Sequence, residues 1–66
     1  MSKFVKVRVN FCGAYELKLH VINVEQIVYV EKDKDVFNFF LSDGSSMGTD
    51  KANADIIFNA MGVTPL

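Results

Sequence analysis

Sixty-six residues with seven basic and eight acidic side chains, a formal net charge of −1, lack the basic surface that a general duplex-DNA binder needs to displace counterions. Half of the residues are hydrophobic and six are Phe, which is rich for a chain whose folding removes only about 60% of its unfolded surface from water. Cys12 is the only cysteine and His20 the only histidine, so an intramolecular disulfide is excluded and a structural zinc site has no ligand set.

These bounds predict a single small domain, residues 1–66, in which self-association supplies the stability that disulfides or a metal give other small chains. No stretch approaches the roughly 20 apolar residues of a membrane span, and the alternating start lacks the apolar core of a signal peptide. A soluble cytoplasmic protein that does not engage membranes is expected.

In chain order, KFVKVRVNF (3–11) alternates: Val5, Val7, Val9 and Phe11 are apolar, with Phe4, Lys6, Arg8 and Asn10 between them. That period of two predicts a half-buried strand. Cys12-Gly13-Ala14 supplies a turn, and YELKLHVI alternates again, with Tyr15, Leu17, Leu19 and Val21 against Glu16, Lys18 and His20. The two strands read as a hairpin with one greasy and one polar face. Asn23-Val24-Glu25-Gln26 breaks the pattern and predicts a tight corner or one helical turn.

IVYVEK (27–32) and VFNFFL (36–41) are apolar on both faces, which predicts strands covered on both sides. Lys32-Asp33-Lys34-Asp35 is a hairpin tip, Ser42-Asp43-Gly44-Ser45 a second turn, and SSMGT a short fifth strand. Ala54, Ile57, Phe58 and Met61 recur at helical spacing, with Thr49 or Asp50 placed to cap the helix and Gly62 to end it. The expected fold is α+β: a four- to five-stranded antiparallel β-meander with one C-terminal α-helix packed on the sheet. One helix covers one face, so the second apolar face of strands three and four calls for another subunit.

No motif carries chemistry. Asp33-Lys34-Asp35 lacks the ligand spacing and central glycine of a calcium loop, because Val36 and Phe37 follow. Gly44-Ser-Ser-Met-Gly48 lacks the Gly-Lys-Ser/Thr of a phosphate loop, and Asp50 would repel an anion there. Cys12 and His20 could meet across the first hairpin, but no orienting group accompanies them. No catalysis, no metal and no cofactor are expected. The residues with binding potential are the aromatics, chiefly Tyr29 and Phe40, the cations Lys6 and Arg8, and the polar Asn10 and Asn38 among apolar neighbours.

Residues 22–60 show I-N-V-x-x-I-x-Y-V-E, a tip, F-x-L-S-D-G-S-S and an apolar-striped helix. In Ile22-Asn23, Ile27, Val30-Glu31 and Asp43-Gly44 this resembles the small flagellar FlbD-type family and related short β-rich proteins of bacteria and their phages. The resemblance implies a compact β-meander plus helix that acts as a non-enzymatic accessory, with no catalytic residues to carry over. The aromatic-rich fourth strand and the Ala/Asn-rich helix start depart from that family's pattern, so an accessory protein of a phage or its host is an equal expectation. The functional reading is a homo-oligomeric regulatory protein that binds another protein. The alternative is capture of a small nucleotide or other anionic ligand at a subunit boundary by Arg8, Lys6 and an aromatic.

Overall fold

The computed structural model describes residues 3–11 and 15–66; the turn expected at Cys12-Gly13-Ala14, and Cys12 itself, lie outside them. Among the described residues five strands and one helix form: β1 (Phe4–Phe11), β2 (Lys18–Asn23), a 3₁₀ turn (Val24–Gln26), β3 (Ile27–Asp33), β4 (Val36–Leu41), β5 (Ser46–Thr49) and α1 (Lys51–Met61). All strand pairings are antiparallel, in the order β2-β1-β5-β4-β3. The turns follow their residue chemistry. Lys34 takes φ 58 at the β3–β4 tip, and Gly44 takes φ 90 in the turn before β5, a backbone region that favours glycine.

β2 and β3 lie at opposite edges of the sheet, yet only the three-residue 3₁₀ turn joins them. Four strand spacings in a flat sheet would separate those edges by about 19 Å. The four Cα steps from Asn23 to Ile27 cover roughly 8 Å at the 3₁₀ rise. The sheet must therefore curl until the end of β2 approaches the start of β3. Backbone bonds from Ser42 N to Gln26 O (2.8 Å) and from Val24 N to Lys3 O (2.9 Å) tie the turn to both sides.

β1 is shared unevenly. Phe4–Val9 pair with β2, whereas β5 meets β1 at Asn10 and Phe11. Where β5 peels away, side chains replace the ladder: Thr49 Oγ1 donates to Arg8 O (2.6 Å), and Arg8 N donates to Asn53 Oδ1 (3.1 Å). The start of α1 thus seals the gap beside β1. Thr49 is buried, so Thr49→Val keeps the shape and removes the donor. Its expected cost is about 1–2 kcal/mol, read as a lower urea midpoint with an unchanged m-value.

The core lies between the inner face of the curled sheet and α1. Val7, Val9, Ile22, Val24, Phe37, Phe39 and Met47 meet Ala54, Ile57 and Phe58 there. Phe58 sets its ring edge-on to Phe37 (6.0 Å) and tilted on Phe39 (5.5 Å). Asp50 caps the helix by accepting from Asn53 N (3.0 Å), and Gly62 closes it at φ 77.

One sequence expectation is corrected. Leu19 faces Arg8 and Val21 faces Lys6 across the first hairpin, so the apolar side of β2 lies over the polar side of β1. The cause is the end of β2 together with the start of the 3₁₀ turn. Ile22 and Val24 have the opposite parity to Leu19 and Val21, and burying that pair turns the others outward.

Candidate binding surface

The side chains that alternate with the core positions make a second, outer face that α1 does not cover. Asn10 on β1 lies directly opposite Gly48 on β5, Gly48 opposite Asn38 on β4, and Asn38 opposite Glu31 on β3. Four strands thereby align one polar row. Gly48 is its floor: a Cβ there would sit 2.8 Å from Asn10 Oδ1 and 3.3 Å from Asn38 Oδ1. Gly48 N also donates to Asn10 Oδ1 (3.2 Å), fixing that carboxamide over the bare backbone. The two asparagines singled out in the sequence, 28 positions apart, converge on one glycine.

One step along β3 and β4 from this row, Tyr29 and Phe40 stack with centroids 4.4 Å apart and planes at 8°. Tyr29 remains 51% exposed. The two-sided greasiness of these strands is therefore real: Phe37 and Phe39 fill the core while Tyr29, Phe40 and Val36 look outward. Val28 is 63% exposed at a break in the β3–β4 register.

The cations stand elsewhere. Arg8 lies on β1 two residues from Asn10, in the direction away from Phe40, and Lys6 lies further still. Two strand spacings and four residues of offset put Arg8 about 16 Å from Phe40. The structure thus joins Asn10 with Asn38 and Tyr29 with Phe40, but it does not bring Lys6 or Arg8 to the aromatic pair of the same subunit. Beside Lys6 and Arg8 are Phe4, Leu19 and Val21, each more than half exposed.

A groove of ≈ 330 Å³ follows the free side of β2, with Phe11, Ile22 and Leu41 as apolar lining and Asp43 at its rim. Asp43 accepts from Ser45 N (2.9 Å) and Ser45 Oγ (2.6 Å), and these bonds hold its carboxyl below the usual range. The groove therefore presents a fixed negative charge. His20 packs edge-on to Phe11 (5.0 Å), and its Nδ1 lies 2.8 Å from Lys18 O. Among the described residues, no group of three or more His, Cys, Asp or Glu is placed to hold a metal ion, and no helix is long and apolar enough to cross a membrane.

The Asp50 carboxyl is likewise held below its ordinary value, first by the Asn53 backbone N–H and then by the Asn53 side chain. A depressed folded-state pKa contributes stability above the unfolded value and loses it as pH falls through the folded one. The melting temperature should be level near neutrality and drop below about pH 4, less steeply in Asp50→Asn, as a calorimetric pH series would read.

Sequence reasoning missed Gly48, whose only signal was a lone glycine inside a predicted strand, where close approach is a common cause. It also missed the outward turn of Leu19 and Val21. Compared with known proteins, the chain matches no protein-family model, no curated protein and no solved structure.

Proposed function

We propose that this chain is a non-enzymatic, homo-oligomeric binding module of the cytoplasm, a phage- or host-encoded accessory that regulates another protein by contact. One observation carries the reading. α1 covers the inner face of the sheet, while the outer face leaves Phe4, Leu19, Val21, Tyr29 and Val36 about half exposed or more, more apolar surface than a 66-residue monomer has reason to keep in water. The basic-flanked β1–β2 half of that face is assigned to self-association, and the Tyr29–Phe40 half, with its polar row, to the protein partner. Stacked aromatics beside fixed carboxamides are the anchor-and-rim composition of contact sites.

Sedimentation velocity between about 5 and 200 µM tests the first half, and a concentration-dependent dimer or higher species is expected. A monomer throughout that range overturns it. For the second half, host proteins retained by the wild-type chain should be lost with folded Phe40→Asp; an unchanged set removes this surface from the function.

A second reading, capture of a small nucleotide or similar anionic ligand, draws on Asn10 and Asn38 beside the Tyr29–Phe40 stack, where a planar ring could stack and have its edge read. Its phosphate would need Lys6 or Arg8 of a neighbouring subunit, and Glu31 in the same row opposes an anion. A nucleotide panel that leaves the melting temperature unmoved at millimolar concentration sets this reading aside.

A further inference from the structure

Each edge of the sheet leaves a row of backbone groups unpaired, and the two edges are not equally protected. On β3, a register break falls between Ile27 and Tyr29, which leaves a regular stretch of five residues. The two-residue tip makes Asp33 and Val36 a hydrogen-bonded closing pair, so Val30 and Lys32 carry the outward groups. Pairing β3 with itself through those two residues would set Glu31 against Glu31 of the partner, a like-charge opposition. β3 is thus defended against its own copy.

β2 is not. Arg8 sends both backbone groups away from β2, to Thr49 and Asn53, so Arg8 and Leu19 form a non-hydrogen-bonded pair. By alternation the N–H and C=O of Leu19 and of Val21 point outward from the sheet. Among the described residues no hydrogen bond reaches these four groups. β2 has no register break and no proline, and Val21 is 64% exposed. The ≈ 330 Å³ groove runs beside this edge, so a strand added there would lay its inward side chains along Phe11, Ile22 and Leu41 with Asp43 at the rim.

The strand that fits is β2 itself. We infer that β2 pairs antiparallel with β2 of a second copy about a two-fold axis at His20, joining two sheets into one of ten strands. This rests on the self-association proposed above and names its surface. In that register all four outward groups of each copy are used, Leu19 meets the partner's Val21 twice on the outer face, and Lys18 lies opposite the partner's Ile22, beside the partner's Asp43. An aliphatic pair outside and a cation against a fixed carboxylate inside make the edge self-complementary, as an isologous contact requires. The strip is short and so belongs with small, transient interfaces, which places the dimer in the micromolar range.

Two variants test the geometry. Val21→Pro removes an N–H that points away from β1, a position at which an edge strand accepts proline. It should stay folded by circular dichroism and weaken dimerisation roughly thirty-fold through two lost hydrogen bonds. With the natural Cys12 changed to Ser, His20→Cys should crosslink to a covalent dimer on mild oxidation, because the axis brings its two Cα atoms to about 5 Å. Val30→Cys on the opposite edge should not. A wild-type dimer that persists in folded Val21→Pro, or that fails to crosslink through His20→Cys, overturns the β2 pairing and leaves the self-association reading standing. A wild-type monomer up to about 200 µM overturns both.

Discussion

Phe39→Ala is expected to leave the chain unfolded at physiological temperature. Phe39 is 0% exposed, lies opposite Val30 and Met47 in the ladders, and carries the tilted ring of Phe58. Truncating such a ring costs about 3–5 kcal/mol, the lost transfer energy plus the cavity left behind. A chain of this length has a total stability of roughly 3–10 kcal/mol, so the loss takes from about a third to all of it. The neighbouring change behaves differently. Phe40 points to the outer face, and Phe40→Ala gives up its stack on Tyr29, worth about 0.5–1.5 kcal/mol. Thermal melts followed by far-UV circular dichroism should show no cooperative transition for the first variant and a modestly lowered one for the second. Comparable melts for the two would contradict the assignment of faces.

That contrast could be anticipated from VFNFFL only in part. Alternation showed that Phe37 and Phe39 share one face and Phe40 the other, and the short C-terminal helix showed that one face would go uncovered. The limits of β3, β4 and β5, the Asp50 cap, the Gly62 stop and the Gly44 turn were equally legible, because each is decided by residues within a few positions of one another, whereas β2 begins at Lys18 and not at the expected Tyr15. The facing of β2 was not. Leu19 and Val21 alternate as convincingly as Ile22 and Val24 but with the opposite parity, and only the position of the 3₁₀ turn under α1 decides which pair is buried. The strand order is hidden for a related reason. It depends on β1 meeting β5 across 38 positions, a non-local pairing that leaves no mark in either strand. The binding surface inherits that limit. Asn10, Asn38, Tyr29 and Phe40 were visible as residue types, but the pairing through Gly48 is what makes two asparagines one feature and sets Lys6 and Arg8 apart from the aromatics.

The helix gives the second large effect. α1 has 11 residues, shorter than the roughly 12–15 that hold a helix in water even with favourable sequence, so its order is borrowed from the sheet. The sheet depends on the helix in turn, since Ala54, Ile57 and Phe58 close the core and Asn53 satisfies Arg8 N in the gap that β5 leaves. Helix and sheet should therefore melt as one unit, with ellipticity at the helix band and, in Tyr15→Phe, the fluorescence of Tyr29 following a single curve. Phe58→Ala, at about 3–5 kcal/mol, should abolish both signals together, whereas Phe58→Leu keeps most of the buried volume and should lower the midpoint without ending cooperativity. A Phe58→Ala chain that loses helix signal but keeps a cooperative sheet transition would mean that the curled sheet holds its own core. α1 would then be a lid on the domain and not a part of it.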